Sequence, residues 1–391
     1  MFLRSGTQTR KLCDLTRSQE GLSLTERIAR TTRAISLGFP FIASPDIEKG
    51  LLISDVSHLL RITRDLSSFT CKAPQLSVLP QSILQRLFEW HTKSLKVLHG
   101  YATGFSSGAE VLPFFCGLEL IEKLTTGPTW LPSHAPSCEG VVERLLENSQ
   151  GNLFPHLRIL YTPMVANHNV LFDVLLRCHL PNLRHLRISS WDRKSLEHFL
   201  EIHGAKLTHL EIKYSWTEQT LADKHVHARP PKNAPPILLR LISLCPNLEE
   251  LTLHDAHSFG LLARVMSDWT HTRLRTIRMG CSALDGPWAF PEHQVEPSSW
   301  CLGTHRTVQS MTEILKKASW RQILPALERF VVWPPSRPIL PDEEDIEGDV
   351  SDASLRGLTG WQVVDRWNEL MRPQGLRVDV VSLAVSASRP Y

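Results

Sequence analysis

The chain has 391 residues, 42% hydrophobic and 21% charged, which excludes a disordered chain and leaves two ordinary domains or one elongated repeat array. Lys and Arg number 43 against 40 Asp and Glu, a net charge of +3, too near neutral to make nucleic acid the expected main partner. No apolar run approaches the roughly 18 residues of a membrane span, so no membrane partner is expected.

Residues 1–49 open on MFLRSGTQTRKLC, which is basic but lacks the apolar stretch of a secretory leader. Arg4, Arg10, Arg17, Arg27, Arg30 and Arg33 give a transit-peptide flavour that Asp14, Glu20 and Glu26 oppose. The expectation for this segment is a partly disordered or degenerate cap. Eight cysteines lie far apart with no C-x-x-C, and no N-x-[ST] acceptor occurs. A reducing compartment, cytoplasmic or nuclear, follows as the expectation.

Between residues 50 and 385 a short phrase recurs, apolar-x-x-apolar-x-apolar. Weaker copies begin at Leu66, Leu95, Ile121 and Leu157, and stronger ones are anchored at Leu183, Leu207, Leu248, Leu274 and Leu327, with a last strand from Leu376. Successive anchors are 29, 26, 36, 26, 24, 41, 26, 53 and 49 residues apart. Most intervals sit in or near the 20–29-residue period of leucine-rich repeats, and the last two are close to twice it. Within each phrase the alternation is that of a strand: Leu186 and Ile188 face one way, His185, Arg187 and Ser189 the other.

Helical spacing fills the gaps. Leu171, Val174, Leu175 and Cys178 follow i, i+3, i+4, i+7, as do Leu238, Leu241, Ile242 and Cys245, then Leu262, Val265, Met266 and Trp269. Further helices are expected at Ile83/Leu87/Phe88, Leu196/Phe199/Leu200 and Met311/Ile314/Leu315. One strand and one helix per repeat cannot bury a face alone, but stacked copies share a core. The expected fold is therefore α/β: a leucine-rich-repeat solenoid, curved, with a parallel inner sheet and outer helices. Its repeats are irregular, with insertions at 222–236, 281–308 and 334–352, a possible degenerate repeat at Leu355, and a tail at 386–391.

The phrases PNLRHLRI and PNLEELTL, the irregular repeat lengths and the Pro- and Trp-bearing loops resemble the repeat regions of fungal F-box proteins over roughly residues 50–385. That resemblance implies a substrate-recognition subunit of a cullin-type ubiquitin ligase. Such a subunit has no chemistry of its own, docks the F-box-binding adaptor and takes a protein substrate on its concave face. Residues 1–45 hold no F-box pattern. Leu79 to Trp90, LPQSILQRLFEW, looks like a first F-box helix but also stands at the ordinary helix-to-strand distance from Leu95. A repeat scaffold without a ligase link is the alternative.

Chemistry is thinly signalled. GFSSG at 104–108 matches the G-x-S-x-G nucleophile elbow, which would make Ser106 the nucleophile of a serine hydrolase. Gly100 and Pro113 interrupt the strand and helix that elbow needs, and no His or Asp can be assigned to it. The His225/His227 and His254/His257 pairs lack a metal frame. The acidic run from Asp342 to Asp349 lacks calcium-loop spacing. The expectation is a non-enzyme without cofactor or metal.

The outward strand positions are the candidate site: His185, Arg187, His209, Glu211, Lys213, Glu250, Thr252, His254 and Arg278, with Ser189, Thr276, Arg329 and Trp333 in the same columns. Arg187, Glu211, Lys213 and Glu250 are expected to line the contact surface, facing solvent. Trp191 and Trp216, each just after a strand, are candidate aromatic anchors.

Overall fold

A computed structural model describes residues 1–3, 6–18, 22–37, 46–71, 81–99, 118–125, 151–165, 170–191, 193–212, 237–253, 270–279, 319–332 and 360–380, with 143, 146, 147, 312, 315 and 316. The fold is α/β with an open parallel sheet, and the chain divides into two units, Met1–Phe199 and Leu200–Tyr391.

In the first unit the strands are β1 (Phe2–Leu3), β2 (Ala34–Leu37), β3 (Ser68–Cys71), β4 (Val97–His99), β5 (Lys123–Thr125), β6 (Ile159–Val165) and β7 (His185–Trp191). Each is parallel to the next in chain order. Parallel neighbours need a crossover. Here α1 (Gly6–Arg17) and α2 (Leu22–Thr31) link β1 to β2. Then α3 (Asp46–Ile62), α4 (Gln81–His91) and α5 (Val170–Arg177) precede β3, β4 and β7. Residues 1–37 thus contribute two strands and two helices to the sheet and its crossovers. The second unit holds β8 (His209–Ile212), β9 (Glu250–Leu253), β10 (Thr276–Met279), β11 (Arg329–Val332) and β12 (Arg377–Val380), again parallel in chain order. Helix α6 (Arg193–His203) spans the division. Helices α7 (Ile237–Ser243), α8 (Trp320–Ile323) and α9 (Gly360–Met371) precede β9, β11 and β12.

The phrase has a uniform physical role. Leu66, Leu95, Ile121, Leu157, Leu183, Leu207, Leu248, Leu274 and Leu327 are all fully buried. Each lies three residues before a buried strand residue: Phe69, Leu98, Leu124, Leu160, Leu186, Leu210, Leu251, Ile277 and Phe330. The strand partners keep that register. Leu376 is one residue out of phase. The pairing Phe330↔Val378 puts Leu376 only two positions before the core valine instead of three, where a 3-10 turn over Arg372–Gln374 ends at Gly375 in the left-handed region.

A backbone motif recurs at the same point of eight crossovers. One carbonyl accepts the two successive amides that open the next strand: Arg33 O from Ser67 and Ser68, Ser67 O from Lys96 and Val97, and Lys96 O from Glu122 and Lys123. Glu122 O takes Arg158 and Ile159, and Arg158 O takes Arg184 and His185. In the second unit Thr208 O, Glu249 O and Arg275 O do the same. The Pro-Asn pairs before β7 and β9 add a side-chain link. Asn182 Nδ2 donates to Pro155 O at 2.6 Å, and Asn247 Nδ2 donates to Ala205 O at 2.7 Å, each reaching the turn before the preceding strand. The turn before β10 has no Pro-Asn and uses an imidazole instead. His271 Nδ1 accepts from the Leu274 amide at 3.1 Å, and Nε2 donates to Cys245 O at 3.0 Å.

The helices bury the expected faces. Val174, Leu175 and Cys178 are in the core, with Leu241, Ile242 and Cys245, then Leu196, Phe199 and Leu200. Phe172 and Phe199 stack with ring centroids 5.6 Å apart. At the N-terminal end, α1 seats on α3 through a buried carboxylate: Asp55 is bracketed by Arg10 Nε at 3.1 Å and Arg17 NH1 at 3.2 Å. The expected helix over 262–269 and the Leu355 segment lie outside the described residues. Among the described residues no helix is long and apolar enough to cross a membrane.

Candidate functional site: the outward face of the strands

Alternation places two residues of each short strand away from the core, and parallel pairing lines them into rows about 4.8 Å apart from strand to strand. In the first unit one row runs Val97, Lys123, Ile159, His185, and the other runs His99, Thr125, Tyr161, Arg187. His185 and Arg187, both expected in the site, stand here, half-buried. Arg187 lays its guanidinium carbon 4.4 Å from the centroid of the Tyr161 ring, a cation–π contact between adjacent strands. Burial, and then the nearby Arg187 charge, lower the pKa of the Lys123 amine.

In the second unit the rows are His209, Glu250, Thr276, Arg329, Arg377 and Glu211, Thr252, Arg278, Val331, Asp379. Opposite charges meet across these strands. Arg278 Nε donates to Glu250 Oε1 at 2.9 Å, each side chain 20% exposed. Arg329 NH1 reaches Asp379 Oδ2 at 3.4 Å, Arg377 Nε reaches the same oxygen at 3.3 Å, and Arg329 Nε donates to Thr276 Oγ1 at 3.3 Å. His209 Nδ1 lies 2.8 Å from Thr208 Oγ1.

Two expected contact residues need correction. Glu211 and Thr252 do lie on the outward side of β8 and β9, paired in register. They do not face solvent: Glu211 is 1% exposed and Thr252 4%. Outward is therefore not the same as exposed on this face. His185, His209, Glu250 and Arg278 keep partial exposure. Lys213, His254, Trp216 and Trp333 lie outside the described residues, as does the Trp191 side chain.

The catalytic and metal candidates fall outside too: Ser106, His225, His227, His257 and the 342–349 acidic run. Among the described residues no group of three or more His, Cys, Asp or Glu is placed to hold a metal ion. Three described thiols are buried in the helical layer. Burial pushes Cys13, Cys178 and Cys245 up to about 12, far from a nucleophile's range.

The residues that sequence reasoning missed are Lys123 and Tyr161. Both sit in weak copies of the phrase, IEKLTT and LRILYT, whose outward residues carry no regular charge pattern. The register of β5, β6 and β7 brings them beside Arg187. No protein-family model matches the chain, and no curated protein matches it.

Proposed function

We propose that this chain is a leucine-rich-repeat solenoid that acts as a non-enzymatic protein-recognition module, using the outward face of its strands. The observation that carries the reading is the phase of the anchors. Nine buried leucine or isoleucine residues fix strands of the same phrase in one register, and the same backbone motif recurs at the crossovers. A platform so fixed presents its outward side chains with little entropy left to lose on binding. The half-buried, hydrogen-bonded charges on that face suit recognition of a folded or extended protein better than catalysis. Among the described residues of that face no nucleophile is paired with a base.

Within that function, the resemblance to fungal F-box proteins supports a role as substrate-recognition subunit of a cullin-type ubiquitin ligase. One observation favours the alternative, a repeat scaffold without the ligase link. Helix α4 covers most of the candidate F-box helix, and it spends Ile83, Leu84, Leu87 and Phe88 on the core before β4. An apolar face so used is not offered to an adaptor. Co-purification of the full chain with the F-box-binding adaptor separates the two: stable capture supports the ligase subunit, and none supports the scaffold. Ester hydrolysis with Ser106→Ala as control tests the serine-hydrolase reading, which falls if activity stays at background in both proteins.

A further inference from the structure

Helix α1 is held differently from α5 and α6. Its described buried side chains are Thr9, Cys13 and Thr16, whereas Leu12 is half-buried and Leu15 is 57% exposed. Helices α5 and α6 instead bury Val174 and Leu175, then Leu196, Phe199 and Leu200. With so little apolar surface withdrawn from water, α1 depends on polar ties to α3. Asp55 takes Arg10 and Arg17, and Arg17 also lies 3.8 Å from Asp14 on its own helix. The Cys13 thiol donates to Asp55 O at 3.3 Å, and Thr16 Oγ1 lies 3.0 Å from His58 Nε2.

The Thr16 contact fixes the protonation state of His58. The hydroxyl has one proton and gives it to Cys13 O at 2.9 Å, so from the imidazole it can only accept. Nε2 therefore carries the ring proton, and Nδ1 faces Arg61 NH2 at 3.5 Å as a bare acceptor. A second proton, on Nδ1, would set a cation against Arg61 and in the field of Arg17. Burial first, then Arg17 and Arg61, hold His58 below the ordinary imidazole range, and Asp55 opposes them. The other helices packed on α3 carry charged groups as well. Helix α2 brings Glu26, Arg27 and Arg30, with Arg30 3.9 Å from Glu26. Helix α4 brings Arg86, Glu89 and His91, with Arg86 over the Trp90 ring and His91 Nε2 2.9 Å from Leu60 O. Among the described residues, the charges that act on the His58 ring are those of Arg17, Arg61 and Asp55.

We propose that His58 is an acid-sensitive latch, whose protonation loosens α1 from α3 and opens the seam at Cys13 and Asp55. The inference stands apart from the protein-recognition reading and concerns how the first unit responds to pH. Its sign follows from linkage. His58 takes the second proton less readily with α1 docked than with α1 away. Docking is therefore at full strength above the ordinary imidazole range and is lost as pH falls below it. Opening frees the ring from Arg17 and from the Thr16 hydroxyl, and the proton then taken up holds the seam open.

The test uses Cys13, sealed in that seam, as reporter, and buried Cys178, just after α5, as reference. The full chain is labelled with a pyridyl disulfide, which still reacts with thiols in mild acid. Labelling is run at about pH 7.5 and about pH 5.5, either side of the ordinary imidazole range. Each rate, read by peptide mass mapping, is divided by the rate for the same thiol in the unfolded chain. Protection of Cys13 should fall at least about threefold in acid while Cys178 keeps its own. His58→Gln, whose amide can donate to Thr16 but cannot titrate, should leave Cys13 protection the same at both pH values. If that variant does not fold by circular dichroism, Arg61→Gln takes its place and should shrink the acid response, because the second proton on His58 then meets one cation fewer. The proposal is overturned by Cys13 protection that does not fall in acid, or by an equal fall in the folded variant. Loss of Cys178 protection in step with Cys13 overturns it too, since that marks general unfolding.

Discussion

Arg278 on β10 and Glu250 on β9 form a hydrogen-bonded ion pair at 2.9 Å, each side chain 20% exposed. Screening is weaker there than at the surface, and losing one member strands the other's charge. Arg278→Ala should destabilise the fold by about 1–2 kcal/mol. Adding Glu250→Ala should recover part of that loss in a denaturant-melt double-mutant cycle. The Lys96–Glu122 pair has a similar distance with side chains 57% and 38% exposed, and its coupling should be no more than about 0.5 kcal/mol. Equal coupling in the two pairs would contradict the account.

Gly204 opens the 3-10 turn before Leu207, where the chain passes close to the backbone at Leu244. A Cβ there would lie 2.3 Å from the Leu244 carbonyl oxygen, backbone that cannot step aside cheaply. Gly204→Ala should cost about 1–3 kcal/mol by overpacking. Gly151 poses the opposite problem, since a Cβ meets nothing within 4 Å but the residue sits at φ +73°. Gly151→Asn, tolerant of that conformation, should cost less than Gly151→Val. Thermal melts of the variants check both.

Cys13, Cys178 and Cys245 are buried and pushed up to about 12. Near pH 8 they should stay unmodified by iodoacetamide in the native protein and react once denaturant unfolds it. Peptide mass mapping reads this site by site. Fast native labelling at Cys245 would contradict the packing of α7 on its neighbours.

Among the described residues strand β12 is an edge of the sheet. Asn368, on α9, donates Nδ2 to Val378 O at 2.9 Å and accepts the Val378 amide on Oδ1 at 2.7 Å. Arg377 turns its amide towards the Glu328 carbonyl, on the β11 side, so the Val378 groups point the other way, where a further strand would pair. Exposed strand edges recruit other chains, and one asparagine occupies this one. Asn368→Ala should raise concentration-dependent association in sedimentation velocity, with little change for Glu369→Ala on the exposed side of the same helix.

Much of the fold was legible because burial writes itself into the spacing of leucines. Leu183, Leu207 and Leu248 announce their strands, whereas the link that Asn182 and Asn247 make to the turn before the preceding strand is visible only in the structure. Strand β2 escaped because Thr32, itself buried, stands at the anchor position, three residues before Ile35. Leu376 marked a real strand but the wrong phase, since Gly375 takes up the missing residue with a left-handed turn. On the face, sequence identified direction and not exposure. Glu211 points outward as its alternation requires and is buried all the same. Asn368 reads as an ordinary polar helix residue until the edge strand it covers is in place.

The central claim is that the outward face recognises a protein and the leucine face only holds the fold. Affinity capture by the full chain, quantified by mass spectrometry, tests this when wild type is compared with Arg187→Glu and Leu186→Asp at matched expression. Arg187→Glu should remain folded, with a melting temperature lowered by the lost stacking on Tyr161, and lose the captured partners. Leu186, 1% exposed in the core, should lose both fold and partners when replaced by Asp, because an unpaired buried charge is far costlier than the marginal stability of a domain. Undiminished capture by folded Arg187→Glu would contradict the account.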